Sequence, residues 1–339
     1  MRWSCFASAV VVGLALTQPA WSAEPPELRI GWVVVPSDLA PLMLAKPSLA
    51  PHAGKTYKPV LTHFTGTSTI VTALAAGEID CASIAYSTFA IAIENAGLKD
   101  LRIIGDSFMD GIDGNHTNDF MVRNDSGIRT VEDLKGKVLA TNEAGSAIDM
   151  AARAMLAKHD LQDRRDLTII EVPFPGMKAM LHDSKVAMIA AASPFDYDPE
   201  LRSFAHTLFT QKEALGPTQM IMRVARGGYI AEHRAALVDF MADYLDALHY
   251  LLDPAHHDEA VALVADATKQ KPAYYADWLF TKKDYFRDPG AVPNLDVLQA
   301  NVETQKKLGF LKSDLDVKHY ADLGIVADAA KELASAAAH

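Results

Sequence analysis

Short runs of aliphatic and β-branched residues alternate with segments whose apolar residues recur every three to four positions, and no other feature of this 339-residue chain narrows its fold as much. Residues 28–35 read as a strand ending at Pro36. Thr67–Ala76 carries Ile70, Val71 and Leu74 at helical spacing, with Gly77 placed to end the helix in a left-handed turn. Cys81–Ala85 reads as a strand, 87–95 as a helix with Gly97 just beyond, and 101–105 as a strand again. Strands separated by helices of this length call for crossover connections. The expected class is therefore α/β with mixed, mostly parallel sheets.

The turn-rich stretch 110–118 interrupts the rhythm, which then restarts. Residues 120–123 are strand-like, and Thr130 with Asp133 has capping-box spacing at the start of a short helix. Strands are expected at 137–140, 167–172, 186–191 and 219–224, with a helix over 146–159 that turns Ile148, Ala152, Met155 and Leu156 to one side. From 231 the character becomes helical, over 231–252, 259–268, 295–308 and 321–336, and the Ala-rich tail after Glu332 is expected to fray. Two α/β blocks and a helical C-terminal region in a chain of this length predict two lobes with a cleft. In open parallel sheets a ligand sits beyond the carboxyl ends of the strands, where helix N-termini present unpaired N–H groups. The strand-to-helix loops are the positions to inspect.

Charge narrows the partners. Lys and Arg total 32 against 43 acids, a net −11, and no local basic cluster offsets it. Such a chain repels nucleic-acid phosphates and anionic lipid. The first 23 residues have the layout of a secretory signal peptide: Arg2, an apolar run over 6–16, and small residues from Pro19 to Ala23. That run falls well short of the ~20 residues that span a bilayer. Export with cleavage near Ser22 or Ala23 is expected, giving a periplasmic chain of net charge −12 because Arg2 is lost. Cys5 leaves with the signal, so Cys81 would be the only remaining thiol and no internal disulfide could form.

Three stretches carry a family resemblance. Thr65-Gly-Thr-Ser-Thr-Ile-Val-Thr-Ala-Leu-Ala-Ala-Gly-Glu-Ile-Asp80 closely resembles a segment of the solute-binding proteins of nitrate-, sulfonate- and taurine-type ABC importers. Val122-Arg-Asn-Asp-Ser-Gly-Ile-Arg-Thr-Val-Glu-Asp-Leu-Lys-Gly-Lys-Val138 is similar to that family's entry into its second lobe, and Asn142-Glu-Ala-Gly-Ser146 to its second-lobe binding loop. The resemblance covers about 28–252. It implies a two-lobed periplasmic-binding-protein (Venus flytrap) fold whose first lobe is discontinuous, 24–118 plus 225–339, with the second lobe at 119–224 and crossovers near 118–120 and 223–227. It also implies a small-molecule solute, delivery to the membrane permease of an ABC importer, a monomer, no cofactor, no metal and no catalysis. The run Lys185-Val-Ala-Met-Ile-Ala-Ala-Ala-Ser193 departs from the family, which often has an acidic residue and small residues there.

The candidate ligand residues follow from loop position. Thr65, Gly66, Thr67, Ser68 and Thr69 put four hydroxyls and a glycine at a helix start, more than one cap requires. Gly145 and Ser146 repeat the arrangement in the second block. Tyr86, Ser87 and Thr88 follow a strand and precede a helix, and Tyr86 offers a face for stacking. Ser37 and Asp38 end the first strand, with Asp38 also a potential cap. Ser193 and Phe195 close a second-block strand, Phe195 as cover for an apolar part of the cargo. Donor-rich helix starts suit an anionic head, and the aromatics an organic body, so the expected cargo is an organic sulfonate or carboxylate.

Other features argue against metal and enzyme chemistry. His256-His257-Asp258-Glu259 lacks the spacing of a helical zinc site and reads as a solvated face. Asp110, Asp113 and Asn115 echo a calcium loop with its glycine and last acid misplaced. Cys81 inside a strand reads as a buried, inert thiol. An enzyme on the same scaffold, of pyrimidine-synthesis or desulfinase type, and a ligand-sensing adaptor for a membrane receptor stay open as alternatives.

Overall fold

The computed structural model describes residues 24–115 and 117–336, so the expected signal segment and its cleavage point lie outside the described residues. In chain order the strands are β1 Glu27–Trp32, β2 Lys58–His63, β3 Cys81–Ala85, β4 Leu101–Asp110 and β5 Asn118–Arg123. They continue with β6 Val138–Thr141, β7 Thr168–Glu171, β8 Met188–Ala192, β9 Ala205–Thr210 and β10 Thr218–Arg226. The helices are α1 Ala40–Ala45, α2 Thr67–Ala76, α3 Tyr86–Glu94, α4 Ala147–Lys158, α5 Phe174–His182 and α6 Pro199–Phe204. After them come α7 Gln211–Leu215, α8 Gly227–Leu252, α9 His257–Thr268, α10 Leu295–Lys307 and α11 Gly324–Ala336.

The strands form two five-stranded sheets, ordered β2-β1-β3-β10-β4 and β7-β6-β8-β5-β9. In the first, β1 pairs parallel with β2 and β3, while β10 lies antiparallel between β3 and β4. In the second, β6 pairs parallel with β7 and β8, and β5 lies antiparallel between β8 and β9. Each sheet thus has one antiparallel strand in the same place, and the expected α/β class with mixed, mostly parallel sheets holds.

That arrangement corrects one expectation. The resemblance places 219–224 in the second lobe, with the return crossing at 223–227, but β10 is hydrogen-bonded inside the first sheet along its length. The chain crosses between sheets after β4 and again through α7 and Gly216, whose φ of 73° suits a glycine. β9 belongs to the second sheet and β10 to the first, so the crossing precedes β10 rather than following it.

Local chemistry explains most elements. Gly77 ends α2 at φ 71°, with its own N–H and that of Glu78 returning to Leu74 and Ala73. Thr130 and Asp133 form the expected capping box on a single 3₁₀ turn, Val131–Leu134. β4 runs five residues beyond the expected 105, and α8 begins before the expected 231, with a non-helical residue at His233. α11 continues through Ala336, past the point where fraying was expected. Edge strands β2 and β9 escaped the sequence reading. β2 is exposed along most of its length and contains Pro59, which an edge tolerates, and β9 is half-buried on both sides, so neither shows a clean apolar alternation.

The core has two parts. Leu28 and Ile30 of β1, with Cys81, pack against Phe240 and Tyr244 of α8 and Ile325 of α11. A second cluster runs from Ile70 and Leu74 of α2 through Ile84 and Phe89 to Leu139, Met155 and Ile189 of the other sheet. Apolar contact therefore continues from one sheet's layer into the other's. Among the described residues no helix is long and apolar enough to cross a membrane.

Candidate functional site

A cavity of about 90 Å³ opens between the two sheets. Its wall is made where parallel strands end: Val33 and Ser37 after β1, Gly66 after β2, Ala85 at the end of β3, Asn142 after β6, and Ser193 after β8. The antiparallel strands add the start of each, Asn118 of β5 and Met220 and Ile221 of β10. Both sheets thus present the same edge to one space. This is where main-chain N–H groups of following helices are unpaired.

The cavity gathers Ser37, Asp38, Gly66, Thr67, Ser146, Ser193 and Phe195 from the sequence expectations. Ser37 Oγ donates to Val34 O at 2.6 Å. Asp38 does not cap α1; its Oδ2 accepts the Val33 N–H at 3.1 Å and so closes the loop on itself. Burial pushes the Asp38 carboxyl above its usual range, and the Arg223 guanidinium, 3.9 Å from Oδ1, opposes that rise. Arg223 lies wholly buried on β10, over the Tyr244 ring, and does not reach the wall.

Ser146 both caps and lines. Its Oγ accepts the Asp149 N–H at 3.2 Å and donates to Asn142 Oδ1 at 2.7 Å. Asp149, fully buried, takes the Gly145 N–H at 2.9 Å and Arg153 Nε at 2.9 Å, and Arg153 goes on to Asp163. This network fixes the loop that aims the start of α4, with Ala147 and Ile148, at the cavity.

Thr65, Ser68, Thr69, Tyr86, Ser87, Thr88 and Gly145 are not on the wall. Thr65 is exposed. Thr69 Oγ1 donates to Gly66 O at 2.7 Å and Thr88 Oγ1 to Ala85 O at 3.0 Å, each spending its hydroxyl on its own helix start. Tyr86 and Ser87 are buried within the fold, and Gly145 holds a φ of 78° in the turn before α4. The Ser68 backbone N–H is occupied by Glu143 Oε2 at 3.2 Å.

Of the aromatic walls, sequence reasoning named Phe195 and missed Phe108, Phe174 and Tyr285. Phe108 and Tyr285 stack at 4.3 Å between ring centres, and Phe174 and Phe195 at 5.7 Å, one pair from each half of the molecule. Tyr285 comes from the stretch between α9 and α10, far from any strand-to-helix loop. Ser83, Thr117 and Asn118 were also missed as wall residues, and Asn142 entered only as part of the loop that resembles the family's second-lobe binding loop. The turn-rich composition of 110–118 was the available signal for Thr117 and Asn118.

Cys81 is fully buried, and burial pushes its thiol up to about 11. His256 and His257 are half-buried rather than solvated, His256 stacking on Tyr250 at 4.1 Å. The ligand atoms of His52, Asp239 and Glu332 lie within 4.8 Å of one another and could accept a cation, but none of the three lines the cavity.

Comparison with known proteins adds two findings. The sequence profile of the NMT1-like family matches residues 22–265. Among solved structures, the alkanesulfonate-binding protein SsuA of Xanthomonas axonopodis pv. citri bound to MOPS superposes with a TM-score of 0.71 at 20% identity, over 89% of this chain and 99% of its own. The periplasmic nitrate-binding protein NrtA of Synechocystis PCC 6803 gives 0.72 at 16%, over 91% and 89%. The periplasmic aliphatic sulphonate-binding protein SsuA of Escherichia coli gives 0.67 at 17%, over 89% and 99%. No curated protein matches by sequence.

Proposed function

Because the chain belongs to the NMT1-like family, whose profile covers most of it, we propose that it is the exported solute-binding receptor of an ABC importer. It captures one small organic anion, a sulfonate or carboxylate with an apolar or aromatic body, and delivers it to a membrane permease. It works as a monomer without cofactor, in the periplasm. The lobes are 24–118 plus 225–339 against 119–224, amended by the placement of β10, which brings 218–224 to the first lobe.

The observation that supports this best is the composition of the cavity wall. A twelve-residue helix, α4, starts there with Ala147 and Ile148 on the wall, so its dipole and unpaired N–H groups favour an oxyanion. Two stacked aromatic pairs offer flat apolar cover for the rest of the cargo. The cargo touches both halves and thereby favours their closed arrangement. No observation favours an enzyme: the Cys81 thiol is off the wall and held protonated by burial. Native mass spectrometry of the purified protein, followed by calorimetry with aryl and alkyl sulfonates and carboxylates, tests the reading. A saturable 1:1 complex with the cargo recovered unchanged is expected. No binding across the panel, or a cargo returned chemically altered, overturns it.

A further inference from the structure

α2 is capped from across the cavity. Its N-cap residue, Gly66, has no side chain to offer, and the helix makes no side-chain cap of its own. Instead the Glu143 carboxylate, from the loop between β6 and α4, accepts the Ser68 N–H through Oε2 at 3.2 Å. A Cβ on Gly66 would lie 2.2 Å from the Glu143 carboxyl carbon and 2.2 and 2.3 Å from its two oxygens. The glycine therefore leaves a hollow that the carboxylate fills. Gly66, Thr67 and Asn142, the chain neighbour of Glu143, all lie on the cavity wall, so this contact stands at the cavity's rim.

A carboxylate at a helix start is what the unpaired N–H groups and the positive dipole end favour. Both helix starts that face each other across the cavity carry a carboxylate, but in α4 it is Asp149, which Arg153 Nε and the Gly145 N–H already engage, whereas Glu143 sits directly on the α2 amide. Among the described residues no Lys or Arg side chain lines the wall to offset a second negative charge beside it.

We propose that Glu143 is a resident anion that fills the α2 position when the halves meet, confines the cargo's acidic group to α4, and so selects cargoes with one acidic group over those with two. The selection of cargo rests on the receptor reading above; the occupancy of α2 does not. Glu143 acts here as a specificity-determining residue.

Inorganic sulfate tests this without knowledge of the cargo. Calorimetry at low salt compares the wild type with E143A, with E143S in reserve should E143A fail to fold. The variant is expected to gain roughly ten-fold in sulfate affinity, the scale of a favourable charge at a helix end. Adding S68P, which removes the N–H at the second helical position where proline is tolerated, should abolish that gain. Equal sulfate affinity in wild type and variant, or a gain that survives S68P, overturns the proposal. Failure of every organic acid to bind would instead strike the receptor reading, and the sulfate comparison would stand apart from it.

Discussion

Asp106→Asn should flatten the dependence of stability on pH. Asp106 lies on β4, only 1% exposed, two residues before Phe108 of the cavity wall. Burial pushes its carboxyl up to about 7, and the Gln219 side-chain amide, donating to Oδ1, restrains the rise. Gln219 also accepts the Asn294 N–H at 2.7 Å and gives its own backbone N–H to Asn301 at 2.9 Å, which ties α10 to the first sheet. The sign follows from proton counting. The unfolded chain releases this proton near the ordinary value of 3.8, whereas the folded protein keeps it to about 7. Below the lower value both states hold it, and the stabilising contribution is complete. Between the two, each pH unit removes about 1.4 kcal/mol, and above the upper value the loss is complete at roughly 4 kcal/mol. Asparagine keeps the shape and the acceptor for Gln219 but cannot ionise. Urea unfolding at about pH 5 and about pH 8 should show the wild type losing roughly 3 kcal/mol more than the variant. Parallel losses in the two proteins would refute the assignment of this window to Asp106.

Further outcomes are expected. Asp149→Ala removes a buried acceptor that serves both Gly145 and Arg153, so a loss of about 3 kcal/mol in thermal unfolding should accompany weakened cargo binding. Gly227→Ala places a Cβ 2.8 Å from the Asp100 carbonyl oxygen and should cost about 1–3 kcal/mol by urea unfolding. Its neighbour Gly228 has open space, and Gly228→Ala should be neutral or stabilise by up to about 1 kcal/mol in the same assay. Phe195→Ala takes half of a stacked pair from the wall, so cargo affinity measured by calorimetry should fall about ten-fold with little change in melting temperature.

What could be read from the residues was whatever local physics decides. Helix α2 was legible to the residue because Ile70, Val71 and Leu74 set its buried face and Gly77 its end. β3 and β8 were legible because central strands buried on both faces are continuous apolar runs. The place of β10 was not, because Thr218–Arg226 has the same apolar character in either sheet and only its pairing partners distinguish them. At the site, loop position identified Ser37, Asp38, Gly66, Thr67 and Ser146, but hydroxyl counting overreached at Thr69 and Thr88, where the groups bond to their own helix starts. Tyr285 and Phe108 met through tertiary contact between segments 177 positions apart, which no local pattern encodes.

The contacts joining the two halves are unequal, and that inequality predicts how the molecule opens. On one side the loop after β8 is strapped down: Tyr285 OH donates to Ser193 O, Tyr274 OH to Pro194 O at 2.8 Å, and Tyr197 OH to Lys283 O. Tyr197 also stacks on Trp278 at 4.3 Å, and the Ser193 N–H reaches Thr117 O in the first crossing segment at 2.9 Å. At about 1 kcal/mol per hydrogen bond and a similar amount for the stack, this side holds by several kcal/mol. On the other side the polar tie is Glu143–Ser68 alone, one hydrogen bond of about 1–2 kcal/mol in a half-exposed place beside the apolar contact of α3 with α4, and it is the weaker of the polar ties. Opening should therefore break at Glu143 and pivot about the strap. Hydrogen exchange followed by NMR reads this directly, because Ser68 sits in the first turn of α2, where no intrahelical acceptor protects its amide. Its exchange then reports the cross-cavity contact alone. The Ser68 amide should exchange within about ten- to thirty-fold of an unprotected rate, the Ser193 amide far more slowly, and bound cargo should slow Ser68. If Ser193 exchanged as fast as Ser68, the pivot would lie elsewhere and the strap would carry none of the closure geometry.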